Sequence, residues 1–450
     1  MTFDNTSTKP SAPIDAVLVG AGGRGAHVYG AFAFENPDSI NFTAVAEPDQ
    51  ARRDFFSNRH EIEPERRFDS WQALCAQPKL ARAAINCTQD RTHLESTLAL
   101  LRAGYDVLLE KPMATSAADC RMLVEESERL GRTLQVCHVL RYTPFFNTLY
   151  DIVHSGKLGE IVTIDHRENV SWWHMSHSFV RGDWGNEAAS TPMILAKCCH
   201  DLDILVWTMG REVKRLSSFG SLSHYRAERA PHGAPLRCTD GCPAADECIW
   251  YAPRLYGAEP TQNWTVPLFF ANRAFGNAAV PAEERMEILR TSQFGRCVFH
   301  CDNDVVDRQV INMEFDGGVT CTFTMHGHSD FEGRTMRWDG TKATLFGDFV
   351  EGRPHEFRLV RHGSTKVEVI RPEAGSSGHG GGDAGLMRDF VDALKSDALK
   401  SDALKSDALK SDALKGRETR SRTTARVSLA SHLIAFAAEE SRRSGQVVNL

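Results

Sequence analysis

Residues 16–25 read Ala16-Val17-Leu18-Val19-Gly20-Ala21-Gly22-Gly23-Arg24-Gly25. An apolar run of this kind is the mark of a short buried strand, and it passes directly into glycines spaced G-x-G-x-x-G. The first glycine permits a tight turn, the second lets a pyrophosphate approach the backbone, and the third lets the next helix pack on the strand. The helix start offers unpaired N–H groups and about half a positive charge to phosphate oxygens. Gly20, Gly22, Gly23, Arg24 and Gly25 are therefore candidate dinucleotide-binding residues. A second strand, Phe42 to Ala46, ends in Glu47, 22 residues past Gly25. An acidic residue there meets the ribose hydroxyls of NAD. Arg24, Arg52 and Arg53 are placed to hold the 2′-phosphate of NADP instead, so both cofactors stay open.

Outward from this stretch, strand and helix patterns alternate. Ala83 to Thr88 reads as a strand, and Thr92-His93-Leu94-Glu95 has the form of a capping box before a helix closed by Gly104. The next strand, Val107-Leu108-Leu109, stops at Glu110-Lys111-Pro112. Proline lacks a ladder donor and keeps Lys111 out of helix, so a carboxylate and an amine stand where open α/β sheets bind ligands. Ser116 caps a helix ended by Gly131, and Leu134 to Val139 gives a further strand. The alternation predicts an α/β protein with a Rossmann-type, doubly wound parallel sheet over residues 14–140, after a disordered tail at 1–13.

With 450 residues, 25% charged and 42% apolar, the chain has room for two or three ordinary globular domains. A net charge of −7 argues against nucleic acid or an anionic membrane surface as partner. No run approaches the ~18 apolar residues of a membrane-spanning helix. Residues 1–13 have neither a basic segment nor an apolar core, so a cytoplasmic protein without a signal peptide is expected. The twelve scattered cysteines fit buried thiols in a reducing compartment better than disulfides.

Taken together, the glycine motif, Thr88 with His93 five residues later, and Glu110-Lys111-Pro112 resemble the glucose–fructose oxidoreductase, inositol dehydrogenase and rhizopine-catabolism (Gfo/Idh/MocA) family, over nearly the whole chain. The resemblance implies a C-terminal α+β domain built on a large, open, mainly antiparallel sheet whose outer face makes a homodimer or homotetramer. It implies that Lys111 lies between nicotinamide and substrate and that Pro112 follows a cis bond. Thr88, His93, Glu110 and Arg141 match cofactor-contacting positions.

The second half, 141–450, carries the substrate and dimerisation expectations. After a strand at Ile161 to Val170 comes Trp172-Trp173-His174-Met175-Ser176-His177, followed by Arg181, Asp183 and Trp184. Aromatic and polar groups at this density suit a polyhydroxylated ring, so Trp172, His174, His177 and Arg181 are candidate substrate residues, with a loop of core-plugging tryptophans as the alternative. Thr191-Pro192 opens a helix expected to run to Gly210, with Lys197, His200 and Asp203 on one side. Cys199-His200-Asp201-Leu202-Asp203 resembles the family's H-x-x-D pattern, which makes His200 a base or substrate ligand assisted by Asp203. The family often has an acid four residues before that histidine; Ala196 stands there, with Lys197 beside it.

From about Lys214 the pattern is β-rich, with hairpin signals at Asp316-Gly317-Gly318 and Asp339-Gly340. An insert at about 224–302 contains Cys238, Cys242 and Cys248, then Cys297, His300 and Cys301. Cys238, Cys242, Cys248 and Cys301 form a candidate structural zinc site, with Cys297 or His300 as substitutes for the last, or else remain unligated thiols. His379 lies in a glycine-rich loop, Ser376 to Asp383, and borders substrate or solvent; Asp383 is expected to cap a helix starting near Leu386. Ser-Asp-Ala-Leu-Lys then repeats four times over 396–415. Each five-residue step turns about 140° beyond a full turn, so the leucines spiral and form no coiled-coil stripe. The repeat reads as a tandem expansion that lengthens a helix.

These features predict an NAD(P)-dependent oxidoreductase moving hydride between nicotinamide and a sugar, cyclitol or sugar derivative, with Lys111, His200 and Asp203 catalytic. The alternatives are an NAD-dependent glycoside hydrolase working by transient oxidation and elimination, and a ligand sensor that retains the fold.

Overall fold

A computed structural model describes residues 12–257, 272, 274–275, 280–373, 375, 378–405 and 422–450. Residues 1–11, part of the cysteine-rich insert, Ser376, Ser377 and the repeat from 406 onward lie outside the described residues. The chain divides into two units: Met1–Thr143 with Gly375–Leu429, and Pro144–Ala374 with Ala430–Leu450.

The first unit grows from β1 (Ile14–Val19), whose last four residues are buried. Around it stand β2 (Ile40–Ala46), β3 (Arg67–Phe68), β4 (Ala83–Asn86), β5 (Asp106–Leu109) and β6 (Leu134–Val136), in the order β3-β2-β1-β4-β5-β6. All pairs are parallel. Burial on both faces explains why residues 83–85 of β4 and 107–109 of β5 read as apolar runs and not as alternations. The strand order reverses beside β1, which is where such sheets open a crevice at their carboxyl ends. Leu386, Met387, Phe390, Val391 and Leu394, from the helix Gly382–Lys405, complete the core on β1 and its neighbours. That helix continues through the first two copies of the repeat.

Two local expectations give way here. Thr92 makes no side-chain cap, because a 3-10 turn at Asp90–Thr92 already leads helically into His93–Arg102. β6 ends at Val136, three residues early, where the chain turns into a 3-10 segment at Val139–Tyr142.

The second unit is built on nine strands: β7 (Ile161–Ser171), β8 (Val213–Ser221), β9 (Arg308–Phe315), β10 (Thr320–Ser329), β11 (Gly333–Gly340), β12 (Ala343–Val350), β13 (Glu356–Arg361), β14 (Val367–Ile370) and β15 (Val448–Asn449). Their order is β14-β13-β12-β11-β7-β10-β9-β8-β15, and β7–β10 is the parallel pair in an otherwise antiparallel sheet. Both hairpins form as read: Gly317 and Gly318 take φ of 83° and 80° between β9 and β10, and Asp339 pairs with Thr344. Along β10, Cys321, Phe323 and Met325 are buried while Thr320, Thr322 and Thr324 are not. The helix expected from Thr191 to Gly210 is two, Met193–Ala196 and Cys199–Met209, with Lys197 and Cys198 in the break. Gly210 ends the second in the left-handed region, φ 61°.

Candidate functional site

In the first unit, the glycine loop joins β1 to the helical segment beginning at Gly25. A side chain on Gly20 or Gly25 would strike backbone, the carbonyls of Cys87 and Gly20 respectively. One on Gly22 or Gly23 would meet nothing within 4 Å. The loop is thus tight where it packs and open where a pyrophosphate would approach, which fits a dinucleotide. Glu47 closes the far side. Its carboxylate accepts from Ala21 N at 2.6 Å and Asp49 N at 3.0 Å. Arg53 donates to Glu47 O at 2.5 Å, and Arg52 is exposed.

Arg24 leaves the loop sideways. Its Nε meets Glu110 Oε1 at 2.6 Å and its Nη2 meets Asp383 Oδ1 at 2.7 Å. Tyr29 donates its hydroxyl to Glu110 Oε1 at 2.6 Å. Burial opposes the Arg24 charge, yet Glu110, Tyr29 and Asp383 together hold its proton well above the ordinary range. Burial likewise pushes the Glu110 carboxyl up, and Arg24 and Lys111 outweigh it, so the group is held below its usual value. Glu110 in turn accepts from Lys111 N at 3.0 Å, and the Lys111–Pro112 bond is cis. Behind this turn the buried His93 ring contacts Pro112 O at 2.6 Å and Thr88 O at 3.0 Å, tying the ends of β4 and β5 together. Thr88 Oγ1 donates to Asn86 Oδ1 at 3.0 Å. Arg141 is buried and donates to Arg422 O at 3.1 Å. His93 and Arg141 thus shape the unit from inside. His379 remains exposed, and its Nδ1 lies 3.0 Å from Asp383 Oδ2. Asp383 sits within the first turn of its helix and serves Arg24 and His379, not the helix start.

The second unit holds a buried polar network that the sequence reading missed. Lys197 Nζ stands 2.8 Å from Glu332 Oε1 and 3.1 Å from Glu168 Oε1. Arg334 reaches Glu168 Oε2 at 2.7 Å and Asp201 Oδ1 at 2.9 Å. His166 Nε2 lies 2.9 Å from Asp201 Oδ1, and His174 Nδ1 lies 2.9 Å from Glu332 Oε1. Burial drives the Glu168 carboxyl up to about 7 against the pull of Arg334 and Lys197. Burial acts on Glu332 too, but His174 and Lys197 outweigh it and keep that carboxylate ionised. Lys197, beside Ala196, thus faces carboxylates from two other elements, β7 and the approach to β11. A signal for this was present: Ile164, His166, Glu168 and Val170 alternate along β7, which places a histidine and a glutamate on the same buried face as two aliphatics. His200 lies in the first turn of its helix and Asp203 a turn later, both buried. Trp172 and His174 are partly exposed, in the turn that follows β7.

Two expectations are corrected here. Arg181 is fully buried; it donates to Arg296 O at 2.7 Å and Trp250 O at 2.6 Å, so it supports the fold of the insert and is not available to a substrate. His177 packs beside it, stacked on Phe294 at 4.8 Å, with Nδ1 3.1 Å from the Tyr256 hydroxyl. The zinc site also fails. Among the described residues no group of three or more His, Cys, Asp or Glu side chains is arranged to hold a metal ion. The Arg181 guanidinium, 3.7 Å from Cys238 Sγ, supplies the cation that the cysteines face. Cys301 Sγ is turned to Cys297 O at 3.3 Å.

Residues 14–138 match the profile of an oxidoreductase family with an NAD-binding Rossmann fold, and 151–403 match that family's C-terminal alpha/beta domain. The chain belongs to the Gfo/Idh/MocA oxidoreductase family. It is similar to the putative oxidoreductase YteT of Bacillus subtilis, 22% identical over 320 residues that span 67% of this chain and 70% of that protein. Against inositol 2-dehydrogenase 2 of Saccharopolyspora erythraea it is 32% identical over 133 residues, 29% of this chain and 36% of the relative. In fold it matches an NAD-binding oxidoreductase from Klebsiella pneumoniae at a TM-score of 0.66, with 16% identity over 98% of this chain and 99% of the other. As a Gfo/Idh/MocA protein the chain is an NAD-binding oxidoreductase. The glycoside hydrolase alternative has no support in the geometry or in these relatives and is set aside. No described helix is long and apolar enough to cross a membrane.

Proposed function

We propose that this Gfo/Idh/MocA protein is an NAD-dependent dehydrogenase whose substrate is a sugar, cyclitol or sugar derivative. The observation that carries the reading is the Glu110–Lys111 turn at the carboxyl end of β5, held to the glycine loop by Arg24. NAD is favoured over NADP because Arg24 is already matched by two carboxylates and Glu47 leaves a carboxylate where a 2′-phosphate would have to sit. When bound, NAD supplies the hydride acceptor. Gly22 and Gly23 would hold its pyrophosphate and Glu47 its ribose. Lys111 donates to the reacting oxygen and polarises it, and His200, with Asp203 a turn away, takes up the hydroxyl proton. Lys197, Trp172 and His174 bind the remaining hydroxyls and ring. The inositol 2-dehydrogenase relative supports a cyclitol among the substrates. A self-associating sheet in the second unit and a cytoplasmic location remain part of this reading.

The test has two steps. NADH is titrated against the purified protein, and NADH formation is then followed with a panel of cyclitols and aldoses. Tight NADH binding with turnover on a polyol is the expected result; no dinucleotide binding ends the proposal.

A further inference from the structure

An ammonium has three N–H donors. Among the described residues, Lys197 donates one hydrogen bond, to Glu332 Oε1 at 2.8 Å; it faces Glu168 Oε1 at 3.1 Å as an ion pair without hydrogen-bond geometry, and its side chain is 16% exposed. Donor capacity is therefore left for a ligand oxygen. Arg334, the other cation of the network, is divided between Glu168 and Asp201. The two imidazoles, of His166 and His174, each face a carboxylate as well. Either protonation state of Glu168 leaves Lys197 matched, because Glu332 stays ionised beside it. The group that would have recognised a carboxylate or a phosphate is therefore already neutralised, and a ligand anion brought to Lys197 would meet the Glu332 charge at hydrogen-bond range. An uncharged hydroxyl oxygen meets no such penalty and takes a remaining N–H.

We infer that the second unit selects an uncharged polyhydroxylated substrate over its carboxylate- or phosphate-bearing counterparts, and that Glu332, by holding Lys197, is the residue that sets this choice. The inference rests on the proposal that Lys197 contacts substrate, and it narrows that proposal to one chemical class. Glu332 acts through Lys197; it is a specificity-positioning residue. Replacing it by glutamine keeps the shape and removes the charge, which leaves Lys197 able to pair with a ligand carboxylate.

The full-length protein, saturated with NAD+, is tested with myo-inositol, glucose, glucuronate and glucose 6-phosphate, reading NADH formation and calorimetric binding separately. An uncharged ligand should be preferred over glucuronate by roughly tenfold or more, since juxtaposed like charges oppose binding. Glu332→Gln should move the glucuronate-to-glucose ratio toward glucuronate by roughly tenfold. If the variant does not fold, the wild-type comparison decides alone. Sugars that bind with this preference but form no NADH overturn the dehydrogenase reading and leave the inference standing. Glucuronate or glucose 6-phosphate as the better ligand, an unchanged ratio in a folded Glu332→Gln protein, or no binding of any uncharged sugar overturns the inference.

Discussion

Arg24 and Glu110 lie 86 residues apart in the chain and meet at 2.6 Å. The contact joins the phosphate-binding loop to the residue before Lys111, so the two halves of the proposed reaction apparatus in the first unit share one ion pair. Its surroundings set the energetics. Glu110 is buried and Arg24 partly so, and removing the arginine leaves a buried carboxylate without this cation. Arg24→Met should therefore destabilise the protein by about 3 kcal/mol and weaken NADH binding, whereas Arg52→Met, on the exposed surface, should alter neither. Chemical denaturation and NADH titration read the two effects.

The glycines give a second contrast. Gly22→Ala meets open space and should leave the melting temperature unchanged while lowering NADH affinity about tenfold or more, because the methyl group stands where phosphate approaches. Gly25→Ala collides with backbone and should lower stability and binding together. Equal effects from the two would contradict the cradle described above.

Lys111 and His200 are separable by kinetics. With no acid at 196 to assist His200, Lys111→Ala should reduce kcat more than His200→Ala, with NADH binding retained in both. The opposite ranking would return the base role to the histidine.

Glu168 predicts a pH dependence. A carboxyl whose folded value is raised from 4.5 to about 7 favours the fold while protonated, fully so below its unfolded value, and loses that contribution as pH rises through about 7. Asp201, held down to about 2, works in the opposite sense and at lower pH, losing its contribution as pH falls toward about 2. Between these windows the protein should be most stable. Glu168→Gln should flatten the decline that wild type shows between pH 4.5 and about 7. A wild-type profile with no such decline would show that Glu168 ionises normally.

The cysteine insert predicts an absence of effect. Chelation should leave the melting temperature unchanged, and metal analysis of protein purified without chelator should return no stoichiometric zinc. Arg181→Met, by contrast, removes donors to two backbone carbonyls and should destabilise the insert.

Which of these features could be read from the chain follows from how local they are. The glycine loop, the stop at Pro112, the hairpin glycines at 317 and 318 and the alternation of β10 are encoded within a few residues, and each formed where it was read. The cap at Thr92 failed because the preceding residues were already helical, a competition that a capping pattern does not register. Beyond the buried face of β7 that carries His166 and Glu168, the Lys197 network could not be read from the chain, for a different reason. Its partners come from residues 166–174, 201 and 332–334, and only the sheet pairing β7 with β11 brings them together. Arg181 misled because an arginine among tryptophans looks the same in sequence whether it faces a ligand or plugs a core. The cysteine spacing misled in the same way, since nothing local reveals that a guanidinium stands 3.7 Å from Cys238 Sγ.

The chain leaves its first unit at Thr143 and returns to it at Gly375. Leu386, Met387, Phe390, Val391 and Leu394 belong to the β1 core, and Asp383 belongs to Arg24. During synthesis the parallel sheet therefore waits, with an apolar face uncovered, while the ribosome makes the whole of the nine-stranded sheet except its last short strand. A fragment ending at residue 138 would carry every glycine of the loop and still be an unfinished domain, prone to aggregate. Any attempt to borrow this nucleotide-binding unit for another protein must carry residues 375–394 with it.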